Sequence, residues 1–285
     1  MNTQFTDLPM ADASSAAAGA SRLGASADQA ARILAVIPTL GRRLDTLDRA
    51  LDSIVSQTGV AVDILLVGKQ ASPELTLLAQ RYGAGLLLNP GHISAAVNAG
   101  FAQATAAHRY MLWLGDDDLL RPGALALASG LLEADPGAVV CYGDCDYIDI
   151  DGQLLFTRVP PGLSPFLLQF VPGLIKQETC LFRREALIES GGLDESLQYT
   201  MDLDLLLKLR RLGRFVKAPR VQAAFCWHPG SLTISNRRVS LQEAQAVQSR
   251  HARGLVKWLC PVWKQLMWWL IMAMSSRINR SMARN

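Results

Sequence analysis

At residues 110–118 the chain reads Tyr-Met-Leu-Trp-Leu-Gly-Asp-Asp-Asp, an apolar run that ends in three adjacent carboxylates. Five consecutive apolar residues are typical of a strand that is buried on both faces of a sheet. Three neighbouring carboxylates repel one another, and a protein core does not tolerate them without a cation. At the carboxyl end of a strand, their oxygens suit Mg²⁺ or Mn²⁺. We therefore predict a metal site here; the alternative is an acidic loop or cap before the helix predicted at 121–134.

Apolar runs alternate with amphipathic segments on the amino-terminal side of this stretch. Four runs predict buried strands, over residues 33–37, 62–67, 86–88 and 110–114. Helical spacing predicts helices between them, over residues 43–57, 73–82 and 93–106. Such alternation is typical of an α/β fold, an open and mostly parallel sheet with crossover helices, which binds ligands beyond the carboxyl ends of its strands. Further along, residues 144–149 predict an edge strand whose polar side chains alternate outward.

The charge of the chain is divided unevenly between its two ends. The 285 residues carry a net charge of +3. Seven basic residues and no acidic residue follow Glu243, which gives this end +7, whereas 21 basic and 25 acidic residues give the remainder −4. A nucleic-acid binder would carry its positive charge on the folded body, so we exclude nucleic acid as a partner. A hydrophobic content of 50% excludes intrinsic disorder of the whole chain.

The two ends of the chain differ in composition from its centre. Residues 1–28 are rich in Ala, Ser and Asp and predict a disordered leader. Residues 239–285 predict amphipathic helices in which basic residues alternate with Trp258, Trp263, Trp268 and Trp269. Tryptophan and basic residues favour the surface of an anionic membrane, so we predict a membrane-associating tail. The alternative is a helix docked on the body or in a homodimer contact.

Several segments of the chain together resemble one known family. They are, in order, Ala35-Val36-Ile37-Pro38-Thr39 with Gly41-Arg42, His92 to Gly100, Gly115-Asp116-Asp117-Asp118, Glu178-Thr179-Cys180-Leu181-Phe182-Arg183-Arg184, Gly191-Gly192-Leu193-Asp194-Glu195 and Met201-Asp202-Leu203-Asp204-Leu205. In this order they resemble an inverting family 2 glycosyltransferase, whose nucleotide-sugar-binding α/β fold is of the GT-A type. The resemblance covers about residues 32–235, and we predict the glycosyltransferase domain over 29–238.

The resemblance implies where the donor and a divalent cation bind. The donor nucleotide would be held by residues from the strand ends and the third helix, namely Pro38, Thr39, Arg42, Asn98, Asp116 and Asp117. Asp118 would coordinate Mn²⁺ or Mg²⁺ directly, and Asp116 would contact the ribose or reach the metal through water. His228, in a loop that closes over the site in related enzymes, would be a further metal ligand. The alternative for His228 is a surface turn.

The same resemblance places the catalytic base in the last segment. Asp202 and Asp204 are the candidates, and residues two apart on a helix do not share a face. The family pattern assigns the base to Asp202, with Asp204 supporting the helix start or a neighbouring basic group. The alternative for Asp202 is a helix N-cap. The implied reaction is attack of an acceptor hydroxyl on the anomeric carbon of a nucleoside-diphosphate sugar, which inverts that centre.

Two departures from the family pattern bear on the function. The second strand ends at Gly68, where family members usually have Asp or Asn to recognise the base, and Val97 replaces a common Arg. A nucleotide-sugar-binding module without transfer activity is therefore the alternative. A nucleotidyltransferase would need a Gly-rich basic loop after the first strand. The expected acceptor is a glycan or lipid-linked molecule in polysaccharide or glycolipid assembly, and the expected location is cytoplasmic, at the inner face of the plasma membrane.

Overall fold

A computed structural model describes residues 32–227, 236–254 and 257 of the chain. The strands are β1 (Arg32–Thr39), β2 (Ala61–Gly68), β3 (Gly85–Leu88), β4 (His108–Trp113), β5 (Leu119–Leu120), β6 (Ala138–Ile148), β7 (Leu154–Arg158), β8 (Leu181–Arg183) and β9 (Arg214–Cys226). The helices are α1 (Leu44–Val55), α2 (Pro73–Arg81), α3 (Ile93–Phe101), α4 (Ala124–Ala134), α5 (Ser164–Leu167), α6 (Arg184–Glu189), α7 (Met201–Leu209) and α8 (Arg237–His251). The predicted leader, His228 and most of the predicted tail lie outside the described residues.

The amino-terminal half of the described chain has the alternating order that the sequence predicts. Strands β3, β2, β1 and β4 lie side by side and parallel, and α1, α2 and α3 connect them. On β1, Ile33 and Ile37 pack into the core on one face, and Leu34 and Val36 pack into the core on the other. Residues 33–38 of the strand are all apolar, which fits a strand with both faces covered. The predicted α/β class with a mostly parallel sheet is confirmed.

Strand β1 extends beyond the end that its sequence predicts. Pro38 does not end the strand, since it lies opposite Val67 in the parallel ladder and Thr39 lies opposite Gly68. The Leu114 N–H donates to the Val36 carbonyl at 3.0 Å. The chain therefore leaves β4 beside the end of β1, which brings the aspartates after β4 close to Thr39.

The second half of the sheet contains antiparallel strands. Strand β8 lies antiparallel between β4 and β6, and β9 is parallel to β6. The prediction of an edge strand over 144–149 is wrong, because β6 lies inside the sheet between β8 and β9 and also pairs with β7. Its acidic side chains form ion pairs with residues that are distant in sequence, Asp146 with Arg121 and Asp144 with Lys217. These partners allow a strand with polar side chains to be buried.

Helix α8 packs against α7 and the segment around α5. The Gln248 side chain donates to the Leu168 carbonyl at 3.0 Å, and the Gln169 side chain donates to the Gln248 carbonyl at 2.6 Å. The first part of the predicted tail, up to His251, thus packs against α7 and the segment around α5. Within the described ranges, no helix is both long and apolar enough to cross a membrane.

Candidate functional site

Four side chains form a hydrogen-bonded network at the ends of β1 and β4, those of Thr39, Arg43, Asp116 and Asp117. The Thr39 hydroxyl donates to Asp116 Oδ2 at 2.7 Å. The Arg43 guanidinium donates to Asp116 Oδ1 at 2.8 Å and to Asp117 Oδ2 at 2.7 Å. Burial raises the pKa of Asp116, although its bonds to Thr39 and Arg43 oppose the rise. The predicted donor-site residues Thr39, Asp116 and Asp117 therefore lie together, and Arg43 links the two carboxylates.

Asp118 is the most deeply buried of the three aspartates, with 4% of its surface exposed. Its Oδ1 accepts the N–H of Cys226, the last residue of β9, at 3.0 Å. A Cβ at position 115 would lie 2.6 Å from Asp118 Oδ2, so glycine there makes room for the carboxylate. Burial and repulsion by Glu178 and Asp117 raise the pKa of Asp118 well above its usual range.

A partly buried ion pair acts electrostatically on Asp118. The 3₁₀ turn Gln177–Thr179 carries Glu178, whose Oε1 lies 3.3 Å from the Lys176 ammonium. That ammonium also lies 3.7 Å from the centre of the Phe225 ring, which is a favourable cation–π geometry. Burial lowers the pKa of Lys176, but attraction by Glu178, Tyr147 and Asp118 outweighs burial and raises it overall. Among the described residues, Glu178 Oε2 has no hydrogen-bond partner.

Asp202 lies in the first turn of α7 and belongs to the same electrostatic cluster. Burial and repulsion by Glu178 raise the pKa of Asp202, whereas attraction by Lys176 lowers it, and the net shift is upward. Lys176 and Glu178 therefore act electrostatically on both Asp118 and Asp202. The N-cap of α7 is Thr200, so Asp202 is not its N-cap residue.

The carboxylates of Asp116, Asp117, Asp118, Glu178 and Asp202 are together called the acidic site. They are the kind of ligands that bind a hard divalent cation. Their ligating atoms are carboxylate oxygens, and a cation would relieve the repulsion that Asp118 receives from Glu178 and Asp117. Within the described ranges, no group of three or more His, Cys, Asp or Glu side chains is arranged to hold a metal alone. Mg²⁺ is commonly bound by one or two carboxylates and completed by water and substrate phosphates, so Asp116 and Asp118 fit such a cation.

Asp204 occupies a different environment from Asp202. It is fully buried, its Oδ1 lies 2.7 Å from His251 Nε2, and its Oδ2 lies 2.7 Å from the Lys208 ammonium. Burial alone would raise the pKa of Asp204, but the bonds to His251 and Lys208 outweigh burial and lower it. These contacts fit the expected role of Asp204 as a partner of neighbouring basic groups, and they join α7 to α8.

Glu243 of α8 holds the loop that leads into α7. Its carboxylate accepts the N–H groups of Gln198, Tyr199 and Thr200 at 2.8–3.0 Å and the Thr200 hydroxyl at 2.9 Å. Burial would raise the pKa of Glu243, but these hydrogen bonds lower it overall. Since Thr200 precedes α7, Glu243 fixes the start of the helix that carries Asp202.

Asn98 contacts the glycine-containing loop before α7. Its side chain donates to the Leu193 carbonyl and accepts the Leu193 N–H, both at 2.9 Å. Gly192 has a φ of +71°, and a Cβ there would lie 2.8 Å from Asn98 Oδ1. The described structure therefore shows Asn98 positioning residues 191–195, whereas the sequence predicts a contact with the donor.

The remaining predicted residues divide into those at the site and those away from it. Pro38 lies partly buried at the end of β1, and Arg42 is exposed while its neighbour Arg43 contacts the aspartates. Sequence reasoning missed Arg43, Lys176 and Glu178. The position of Arg43 beside Gly41-Arg42 was a signal for the first, and Glu178 begins one of the segments that carry the resemblance, but neither pattern indicated the ion pair with Lys176.

The departures from the family pattern also have structural explanations. Val97 is fully buried in the core with Val36 and Val67. Gly68 ends β2, and a Cβ there would lie 2.9 Å from a methyl carbon of Leu75. Lys69 is exposed, and its N–H donates to the Thr39 carbonyl. Positions 68 and 97 thus contribute packing rather than polar side chains.

Comparison with protein families supports the sequence resemblance. The protein-family model described as "Glycosyl transferase family 2" matches residues 34–189, which are more than half of the chain. A Rickettsia felis protein named "Uncharacterized glycosyltransferase" is 27% identical over 201 residues, which are 66% of this chain and 33% of that protein. The O-antigen biosynthesis protein RfbC of Myxococcus xanthus is 33% identical over 119 residues, 42% of this chain and 9% of RfbC. The chain thus spans about a third of the length of the Rickettsia relative.

Two solved structures have a similar fold. The mannosyltransferase PcManGT from Pyrobaculum calidifontis, in complex with GDP-Man and Mn²⁺, has a TM-score of 0.60 at 17% identity, over 87% of this chain and 73% of PcManGT. S. aureus TarS 1–349 in complex with UDP-GlcNAc has a TM-score of 0.58 at 13% identity, over 76% of this chain and 65% of that one. These likenesses concern the fold, which is of the GT-A type.

Proposed function

Because the chain belongs to glycosyl transferase family 2, we propose that it transfers a sugar from a nucleoside-diphosphate sugar to an acceptor hydroxyl with inversion. One observation carries this proposal. Asp118 and Asp202 come from distant parts of the sequence, yet both feel the charges of Lys176 and Glu178, which supports a shared site for the donor and the catalytic base. A donor pocket and a catalytic base are the two parts that such a transfer needs.

The donor binds at the ends of β1 and β4 in this proposal. Thr39 and Arg43 orient the carboxylate of Asp116 for the ribose, and Asp117 is held beside it. Asp118 would coordinate a divalent cation directly, Asp116 would reach it through water, and His228, which lies outside the described residues, would add a ligand when the donor is bound. When bound, Mn²⁺ or Mg²⁺ stabilises the negative charge that accumulates on the leaving diphosphate.

Asp202 acts as the general base. Its carboxylate accepts the proton of the acceptor hydroxyl while the acceptor oxygen forms a bond to the anomeric carbon. The bond from that carbon to the diphosphate oxygen breaks on the opposite side, and the nucleoside diphosphate leaves with the electron pair. Burial raises the pKa of Asp202, which makes its carboxylate a stronger base than an exposed aspartate. A single displacement of this kind inverts the anomeric centre.

The named relatives support the class of donor and the biological setting. The TarS and PcManGT complexes contain UDP-GlcNAc and GDP-Man, so the similar folds accommodate different nucleotide-sugars. RfbC is named for O-antigen biosynthesis. We propose a glycan or lipid-linked acceptor in cell-surface polysaccharide or glycolipid assembly, reached from the cytoplasmic side of the membrane through the basic, tryptophan-rich tail.

A second candidate is a module that binds a nucleotide-sugar without transferring it. Val97 favours this candidate, because a buried valine takes the place of a polar side chain that family members direct at the donor. The two candidates share the donor site and differ only in the role of Asp202. Turnover by the wild type, and its loss when that residue is substituted, therefore separates them.

The test measures binding and transfer separately, with a panel of nucleotide-sugars in the presence and absence of Mn²⁺. Asp118→Ala should abolish the metal-dependent thermal shift produced by the donor. Asp202→Asn should retain that shift and lower turnover, including slow donor hydrolysis, by about 10²–10⁴-fold. Full activity of Asp202→Asn would refute the assignment of the base. A thermal shift without any turnover in the wild type would favour the binding module.

A further inference from the structure

A second polar pocket lies at the opposite end of α7 from Asp202. Its volume is about 270 Å³. Its lining consists of Phe166, Gln169, Phe170, Leu207, Arg210, Arg211, His251 and Arg253. With a rise of 1.5 Å per residue, α7 separates Asp202 from Arg210 by about 12 Å along its axis. The pocket is therefore distinct from the acidic site.

The charge of this pocket is positive and unbalanced. Its lining contains three guanidinium groups, and none of its residues in the described chain is a carboxylate. Arg210 lies over the Phe166 ring, with its guanidinium carbon 5.2 Å from the ring centre. Arg211 donates to the His251 carbonyl at 2.9 Å. None of the three arginines forms an ion pair with a carboxylate that the structure describes.

Holding these cations together has an electrostatic cost. Burial lowers the pKa of Arg210. Burial and repulsion by Arg253 lower the pKa of Arg211, although Asp204 opposes that shift. Asp204 itself is bonded to His251 and Lys208 and lies behind the lining. An anion between the guanidinium groups would offset the cost of burying their charges and would reduce the repulsion between them.

One residue of the lining, Phe166, and its neighbour Leu163 are apolar and exposed. Phe166 is 51% exposed, and Leu163 is 69% exposed. The Phe166 N–H donates to the carbonyl of Leu163, the residue before α5, so the two residues lie one turn apart. Apolar groups beside a basic pocket match an amphiphile that has an anionic headgroup and an apolar chain.

We propose that Arg210, Arg211 and Arg253 form a binding site for a phosphate group, separate from the donor site. Guanidinium groups bind phosphate oxygens through paired hydrogen bonds. The exposed Leu163 and Phe166 favour a lipid headgroup over a free phosphate compound as the source of that group. The site does not depend on sugar transfer.

The test uses the full chain and two probes. Pyrophosphate is titrated by calorimetry in EDTA, which prevents metal-dependent binding at the acidic site. Vesicles of phosphatidylcholine with and without phosphatidic acid are tested by sedimentation. Arg210→Gln and Arg253→Gln should each weaken binding of at least one probe, by about tenfold for pyrophosphate and about fivefold for vesicles that contain phosphatidic acid. Arg253 is exposed, so its variant tests the site with little risk to folding.

Two further variants complete the experiment. Arg81→Gln is the matched control, because Arg81 is an exposed arginine on α2 that pairs with Asp48, and it should bind both probes like the wild type. Leu163→Ser should weaken vesicle binding alone if the phosphate belongs to a lipid, and should change neither probe if it belongs to a free compound. Absence of binding to both probes by the wild type, or unchanged binding by both arginine variants, overturns the proposal.

Discussion

Arg43 bridges Asp116 and Asp117, whereas Arg42 beside it is exposed. A lysine presents a single ammonium group and cannot reproduce a guanidinium that bonds two carboxylates at once. We therefore expect Arg43→Lys to raise the KM for the donor about tenfold, the effect of losing one charged hydrogen bond. Arg42→Lys is the matched control and should leave the KM unchanged. The reverse ranking would restore the sequence-based assignment of Arg42 to the donor site.

The environment of Asp202 predicts the pH dependence of transfer. Burial raises the pKa of this carboxylate, and a general base acts only when it is deprotonated. Activity should therefore fall as the pH decreases through a pKa above the ordinary value for aspartate. The profile of kcat/KM against pH measures this pKa in the free enzyme. An acidic limb at or below the ordinary aspartate pKa would contradict the proposed role.

Residues at the site differ in how well the sequence identifies them. Asp116–Asp118 could be predicted because an apolar run followed by three carboxylates is a local pattern. Lys176 and Glu178 could not, because their role arises from contacts with Asp118 and Phe225, which are distant in sequence. Adjacent arginines are equally basic, so the sequence does not indicate which of Arg42 and Arg43 turns inward.

At the scale of elements, the contact between α7 and α8 depends on Asp204. Its carboxylate is fully buried and bonded to His251 and Lys208. Asp204→Asn leaves these basic groups without their charged partner and should lower the free energy of unfolding by about 3 kcal/mol. Denaturant titration measures this loss, and Asp202→Asn, two residues away, should show no comparable loss. Equal stability of the Asp204 variant would mean that the pair does not hold α8.

The same carboxylate gives this contact a defined pH dependence. The pKa of Asp204 is lower in the folded protein than its ordinary value. Its contribution to stability is therefore complete above the ordinary aspartate pKa and is lost as the pH falls through the lowered value. The Asp204→Asn variant should lack this part of the acid sensitivity.

The strands were predictable where burial is uniform along the chain. The apolar run in β1 predicts a buried strand because both of its faces contact cores. Strand β6 was misread because Asp144 and Asp146 resemble the outward side chains of an edge strand. Their partners Lys217 and Arg121 are supplied by other elements. Long-range ion pairs of this kind leave no local pattern.

At the scale of the whole molecule, the acidic body and the basic carboxyl-terminal end have separate roles in our proposals. The body contains the carboxylates of the acidic site, and the phosphate pocket lies on its surface near the beginning of the basic end. Strand β8 lies antiparallel between β4 and β6, so the segment that carries Lys176 and Glu178 leads into a strand beside β4, the strand that precedes the three aspartates. This arrangement could not be predicted, because pairing between strands that are distant in sequence depends on the complete fold.

Removal of residues 258–285 tests the proposed membrane contact of the tail. The deletion removes four tryptophans and four basic residues while retaining α8 and Arg253. Because each basic residue near an anionic lipid surface contributes about 1 kcal/mol, sedimentation with anionic vesicles should weaken by ~100-fold or more, and the loss should be smaller at high salt. Arg210→Gln in the shortened chain should weaken the remaining binding by the same factor as in the full chain, since distant and independent contacts contribute additively to free energy. Unchanged sedimentation of the shortened chain would show that the tail does not bind the membrane.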